Sequence, residues 1–276
     1  MKPTLFIWIQ NSLRNPFYNL AIEESIALHL NDFLIHTCLR FWRNHNSAVL
    51  GISDSYSKNI PENLITEFQN QFDQLKKNLK LIEDSFYICR RASGGGTVFH
   101  DKDFNLNYSI FASIKQRPDI YPVKDSYKIL LKLITDSLSK QNIHSDQFGK
   151  SDLGIEIEGV IKKISGNAQF RKKDFVVQHG TLILNEELLD KVSSTLNHPP
   201  EEPEYRKKRN HKDFLTSLPS TFKIHNFIED LKIISVKEFN IKEIQNKNIK
   251  FVKKVLKTAK TLYLEKYATK EYIFRS

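Results

Sequence analysis

Two short stretches of the chain set cations against bare backbone. The first, RRASGGGT, runs from Arg90 and Arg91 through Ala92 and Ser93 to Gly94, Gly95, Gly96 and Thr97. Glycines carry no Cβ to hold a ligand away from the main chain, so successive N–H groups can face an anion. Arg91 beside them offers a planar fork matched to a carboxylate or a phosphate. No Lys-Ser or Lys-Thr follows the glycines, which excludes a P-loop. A strand pattern rather than a helix pattern follows, which excludes a dinucleotide fingerprint. Taken alone, the run also suits a tight hairpin turn. The second stretch, KKISGNAQFRKKDFVVQHGTLIL, brings Lys162 and Lys163 into Ser165-Gly166, with Arg171 and His179-Gly180-Thr181 beyond. A basic hairpin is one reading of it. The other is that a lysine before one Ser-Gly bend and an arginine before another clamp a single anion, such as an activated acid phosphate.

The elements that must hold these stretches follow from periodicity. TLFIWIQ predicts a strand. NPFYNLAIEESIALHL predicts a helix with Asn15 as N-cap, Pro16 in the first turn, and Leu20, Ile22, Ile26 and Leu30 apolar. LRFWRN and SAVLGI follow as a strand pair, Pro61 opens a helix to about Leu81, and SFYICRR is the strand that feeds the glycines. In FNLNYSIFAS, Phe104, Leu106, Tyr108 and Ile110 alternate with Asn105, Asn107 and Ser109, which predicts a half-buried strand. A helix from about Lys124 to Ser139 comes next. LGIEIEGVIKKISG predicts a hairpin turning near Gly159, FVVQHGTLIL a strand, and NEELLDKVSSTL a helix capped by Asn185. Strands fill the middle and helices return late. The expected fold is therefore α+β, a mixed, largely antiparallel β-sheet flanked by helices.

The chain has 276 residues, 40% hydrophobic and 11% aromatic, enough for one large core or two modest ones. No apolar run approaches the roughly 18 residues of a membrane helix, and MKPTLFIWIQ reads as a strand instead of a signal core, so a cytoplasmic protein without a membrane partner is expected. Cys38 and Cys89 lie in apolar runs and are expected to be reduced core thiols; nothing suggests a protein metal site. The net charge of +10 favours an anionic partner: nucleic acid, a nucleotide or an acidic protein. Only Tyr205 and Phe214 interleave with the basic clusters, which argues against nucleic acid. NHPPEEPEYRKKRNHKD, residues 197 to 213, is proline-rich, then acidic, then basic, and predicts a solvated loop. Residues from about 220 to 276 read as closing helices of the same domain, so the whole of 1–276 reads as a single domain.

NPFYNLAIEES, LRFWRNHNSAVLG, RRASGGGTVFHD, NLNYSI, KKISGNAQ and HGTLIL, in this order, resemble the catalytic domain of the lipoate-protein ligase and octanoyltransferase superfamily, relatives of the biotin-protein ligases. The resemblance covers about residues 15 to 185 and implies a class II biotin/lipoate ligase-like catalytic domain, with the glycine loop covering the acyl tail. Such ligases join lipoate to ATP, with Mg2+, and release pyrophosphate. They then pass the lipoyl group to a lysine of an acidic carrier domain, a lipoyl domain or a glycine-cleavage H-type protein, without a protein nucleophile. The resemblance makes Lys163 the catalytic residue, holding the acyl carbonyl and the α-phosphate oxygen. It assigns substrate and adenylate binding to Arg91, Ser93, Gly94, Gly95, Gly96, Thr97, Asp152, Ser165, Gly166, His179, Gly180 and Thr181. It also sets EPEYRKKRNHKDFLTSL on the acceptor side, so Arg206, Lys207, Lys208 and Arg209 are expected to meet the carrier.

The sequence departs from the family pattern in places. Lys150 and Ser151 replace an arginine and an asparagine beside Asp152, and GISDSY lacks an arginine common there. Typical ligases carry an accessory domain after the catalytic one. The closing residues here are too few and too helical for it, which leaves room for a separate accessory chain. Single-domain transferases of the superfamily instead use a cysteine before the lysine loop, and NIHSDQFGKSDLGIEIEG contains none. Adenylate chemistry is therefore favoured over acyl transfer from a carrier-bound donor. Cys89, two residues before Arg91, keeps that alternative open; an inactive or nucleic-acid-binding relative is the alternative of another class.

Overall fold

Eight strands form one sheet and three another in the computed structural model, which describes residues 2–10, 14–77 and 85–275. The chain runs β1 (Thr4–Ile9), α1 (Pro16–His29), β2 (Thr37–Trp42), β3 (Ser47–Leu50), α2 (Tyr56–Asn59), α3 (Glu62–Lys77), β4 (Tyr87–Arg90), β5 (Val98–His100), β6 (Asn105–Ser113) and α4 (Val123–Ser139). It continues through β7 (Asp146–Phe148), β8 (Asp152–Ile157), β9 (Val160–Lys172), β10 (Phe175–Ile183), α5 (Glu187–Thr195), α6 (His211–Phe214), α7 (Ile224–Glu238), β11 (Glu243–Gln245), α8 (Ile249–Leu262) and α9 (Lys270–Ile273). The large sheet has the order β11-β1-β2-β6-β10-β9-β8-β7, and the small one β4-β3-β5. In the large sheet β1 runs parallel to β2 and β11, and the other pairs are antiparallel, as the α+β reading expects.

Local chemistry accounts for the ends of several elements. Asn15 Oδ1 accepts from the Tyr18 N–H, and Pro16 follows in the first turn, where its missing N–H costs nothing. Glu158 and Gly159 both take positive φ, 51° and 76°, the geometry of a two-residue hairpin turn that matches strand twist. One face of the large sheet packs Leu39, Ile110 and Val176 against Leu130, Ile134 and Phe227 of α4 and α7. The other face packs Trp42, Phe111 and Val177 with Ile22 and Ile26 of α1 and with Val49 and Ile88 of the small sheet. Phe251, Val255 and Ala259 of α8 join the same core, and Ser25 Oγ donates to Val255 O.

The structure corrects four expectations. β2 and β3 do not pair with each other: they lie in different sheets, because the buried Asn44 between them bonds Asn19 and His100 and turns the chain from one sheet to the other. β6 is buried on both faces, its polar face covered by the small sheet and by α1 instead of by water. Residues 197–213 are not simply a solvated loop, since Arg206 is buried and the segment is fastened to the sheet. The closing helical stretch also contains a strand, β11, which adds to the outer edge of β1. The helix opened by Pro61 is seen to Lys77, and its expected end near Leu81 lies outside the described residues. No helix among the described residues is long and apolar enough to cross a membrane.

Candidate active site

A cavity of about 980 Å³ lies between the two sheets, with the glycine loop on one side and residues 196–215 on the other. Its floor is a row of side-chain positions that run across the large sheet. Gly166 on β9 is paired with Thr181 on β10, Thr181 with Asn107 on β6, and Asn107 with Trp42 on β2. All four line the cavity.

Lys163 stands at the β9 end of this row. Strict alternation would put residues 163 and 166 on opposite faces, but the register slips between Leu153 and Gly154, and the extra residue on β9 turns Lys163 towards Gly166. A Cβ added to Gly166 would come within 3.0 Å of Lys163 Nζ, so glycine is what lets the lysine reach across. The ammonium pairs with Asp152 Oδ1 at 2.8 Å, and the Tyr205 hydroxyl donates to Asp152 Oδ2 at 2.8 Å. The lysine is thus in the cavity and held by one carboxylate.

The glycine loop is organised from inside. Arg91 donates through Nε to Ser93 Oγ at 2.9 Å, through Nη1 to Val49 O at 2.8 Å, and through Nη2 to Gly94 O at 2.7 Å and Gly96 O at 2.9 Å. Four of its five N–H donors are committed to the fold. The free fork expected from the sequence is therefore corrected: Arg91 shapes the loop with its donors and contributes its charge to the cavity wall. Burial lowers its pKa to about 10, against the raising effect of Asp54, so it stays a cation. Gly95 takes φ 84°, a conformation side chains resist, and its carbonyl lies where a Cβ on Gly51 would be, only 2.0 Å away. Thr97 Oγ1 donates to Asp54 Oδ2 and pins the loop's far end.

Behind the loop lies a polar chain in which Ser93 and His179 were expected and Glu23, Ser109 and Trp42 were missed by sequence reasoning. Ser93 Oγ is 2.6 Å from His179 Nε2, and His179 Nδ1 is 2.7 Å from Glu23 Oε2. Ser109 Oγ donates to Glu23 Oε1 at 2.6 Å, and Trp42 Nε1 donates to Ser109 Oγ at 3.1 Å. The Glu23 carboxylate holds the imidazole proton on Nδ1 and fixes the ring. Burial pushes the Glu23 carboxyl up, but His179, Ser109 and Arg40 together outweigh it and bring it below the usual range. The available signal was an acid on the buried side of an apolar helix pattern, among Leu20, Ile22 and Ile26.

Of the other expected residues, Gly94, Gly96, Thr97, Asp152, Gly166, His179, Gly180 and Thr181 line the cavity. Ser93 and Ser165 are not among its lining and stand behind the wall, with Asn167 Nδ2 donating to Ser165 Oγ at 3.2 Å. The basic segment divides. Arg206 Nε donates to Arg209 O at 2.9 Å and pairs with Glu202, and its guanidinium lies 4.7 Å from the Phe214 ring centroid. Arg209 donates to Ile161 O and Tyr205 O and lies on the same ring at 5.3 Å. These two arginines fasten the segment that carries Tyr205, whereas Lys207 and Lys208 are exposed at positive φ. Of the four basic residues expected to meet the carrier, two are thus clasps and two are surface cations.

Cys38 and Cys89 are unpaired and buried, and neither is among the described residues lining the cavity. Cys89 Sγ faces Ala48 O at 3.7 Å, and burial pushes both thiols far up, against the weaker pull of nearby arginines. Among the described residues, no group of three or more His, Cys, Asp or Glu side chains is placed to hold a metal ion.

The mixed sheet flanked by helices, with a cavity between its layers, is the fold of solved lipoate-protein ligases. Solved structures with this fold include the bi-partite lipoate protein ligase of Thermoplasma acidophilum, described with its E2 lipoyl domain, at TM-score 0.73 and 19% identity over 99% of this chain and 96% of that one. A lipoate-protein ligase A bound with ATP matches at TM-score 0.67 and 20% identity over 99% of each chain. The sequence is 33% identical over 183 residues to the lipoate-protein ligase A of Blochmanniella floridana; that stretch is 66% of this chain and 46% of the relative, so the match spans about half the relative's length. Residues 15–245 match the family of the lipoyl protein ligase A/B catalytic domain, and the chain belongs to that family.

Proposed function

We propose that the protein activates lipoate with ATP and transfers the lipoyl group to a lysine of an acidic carrier domain. The observation that carries this reading is Lys163 at one end of the row Gly166, Thr181, Asn107 and Trp42, in a cavity whose described lining holds no cysteine. In the first step a lipoate oxygen attacks the α-phosphorus of ATP, and the bond to the pyrophosphate oxygen breaks. In the second, the acceptor amine attacks the acyl carbon, AMP leaves with the bridging oxygen, and the amine loses a proton. Negative charge grows on oxygens beside the acyl–phosphate junction in both steps, and the Lys163 ammonium is the group that meets it. Asp152 holds the lysine until substrate charge competes for it. Mg2+ would be carried in on the nucleotide's phosphates and would supply charge to the departing pyrophosphate.

The ATP-bound ligase of the same fold and the archaeal ligase with its E2 lipoyl domain support the choice of nucleotide and of acceptor class. A glycine-cleavage H-type protein is an acceptor of the same chemistry. The catalytic unit is a single domain, working in the cytoplasm, alone or with a separate accessory chain. The test is to incubate the pure protein with an apo lipoyl domain and either lipoate plus Mg-ATP or an octanoyl carrier protein, then weigh the acceptor. A lipoyl mass increase that requires ATP supports the proposal; modification from the carrier-bound donor alone would replace it with acyl exchange.

A further inference from the structure

The amide orientations of two buried asparagines leave one donor unused at the inner end of the cavity. The backbone N–H of Asp101 donates to Asn105 Oδ1 at 2.6 Å, which fixes Asn105 Nδ2 as the donor end. Its two protons go to Thr181 Oγ1 at 2.8 Å and to Asn107 Oδ1 at 3.0 Å. Asn107 must therefore accept with its oxygen, and its Nδ2 is turned away with no partner among the described residues. The side chain is 1% exposed and lines the cavity. A dry amide N–H without an acceptor is costly, and a group of this kind in an otherwise bonded network marks something missing.

Register says where along the substrate this donor stands. The Lys163 ammonium lies beside Gly166, and Asn107 is two strands further across the sheet, with Thr181 between them. Two inter-strand steps are about 10 Å. That is close to the reach of an extended eight-carbon acyl chain whose carboxyl end is at Lys163. The Asn107 side chain thus borders the place of the acid's tail and not of its head. A plain alkyl tail gives it no acceptor, whereas a sulfur atom, a weak acceptor, does.

Building on the function proposed above, we infer that Asn107 is a specificity-determining residue that favours an acid with sulfur near its distal end, such as a dithiolane, over a plain alkyl acid of the same length. Binding of lipoate, octanoate and a thioether analogue of octanoate to the wild-type protein, measured by calorimetry, tests this without catalysis, and kcat/KM with Mg-ATP and an apo lipoyl domain gives the same comparison in turnover. Wild-type protein is expected to favour lipoate over octanoate by about tenfold or more, with the thioether acid between them. Asn107→Leu, close in size but without the donor, is expected to reduce that ratio by about tenfold; Asn107→Ala replaces it if only the smaller variant keeps the wild-type melting temperature. A preference that stays within about twofold of wild type, or a wild-type protein that binds the thioether acid no better than octanoate, overturns the inference and leaves the proposed function standing. Failure of the wild type to bind any of the three acids overturns both.

Discussion

Glu23→Gln removes the charge on which the wall behind the glycine loop depends. The carboxylate is 2% exposed, 2.7 Å from His179 Nδ1, and takes the Ser109 hydroxyl at 2.6 Å. Arg40, fully buried and held by the Asn19 carbonyl and side chain, feels the same charge. Removing one member of a buried charge arrangement costs about 3–5 kcal/mol, and glutamine keeps an oxygen for Ser109, so the lower end, about 3 kcal/mol, applies. For a chain of this size that lowers the melting temperature by about 6–12 °C. The sign of the pH effect follows from the lowered folded pKa. The carboxylate's contribution is fully present above its reference value of 4.5 and is lost as pH falls through the lower folded value, so the wild-type advantage over the variant shrinks in that acid window. Calorimetric melts of both proteins from neutral to acid pH measure this, and the lipoate KM of the variant should rise because Ser93 and its loop lose a fixed His179. A melting temperature within about 2 °C of wild type, with an unaltered lipoate KM, would refute the reasoning.

Lys163→Ala should slow acyl transfer by at least about a hundredfold while the melt stays near wild type, because the lost interaction is a charged contact made in the cavity and not in the core. Cys38→Ser with Cys89→Ser should retain turnover, since both thiols are buried away from the cavity; trapping an acylated Cys89 peptide would contradict this. Lys207→Ser with Lys208→Ser should flatten the salt dependence of transfer to the carrier, as exposed rim charges act through encounter rate. Arg206→Ser should instead destabilise the protein by about 2 kcal/mol, as it loses its ring contact and its pairing with Glu202; equal melts for the two sets would contradict the division of the segment.

Local signals in the sequence were reliable where the cause is itself local. The Asn15 cap and the Gly159 turn each depend on neighbours a few residues away. The placement of Lys163 and the glycine loop in one cavity was legible because each motif is contiguous and chemically unusual. What could not be read was which donors the fold consumes. Arg91 looks like a free anion fork, yet carbonyls of β3 and of its own loop satisfy it. Glu23 looks like one more helix acid, yet its partner His179 is 156 positions away. The polar face of β6 looks solvated by its alternation, and only the second sheet and α1, stacked on it, turn Asn105, Asn107 and Ser109 into a buried network. Arg206 and Tyr205 likewise read as parts of a charge run, because nothing in their own segment announces the ring and the carboxylate that they meet.

Exchange of labelled pyrophosphate into ATP tests the adenylate chemistry most directly, since it requires reversible formation of an acyl-adenylate and needs no acceptor. With the wild-type chain, lipoate and Mg2+, label should enter ATP only when lipoate is present, and Lys163→Ala should abolish the exchange. Lipoate-independent exchange, or acceptor modification from a carrier-bound acyl donor by a protein that gives no exchange, would contradict the account.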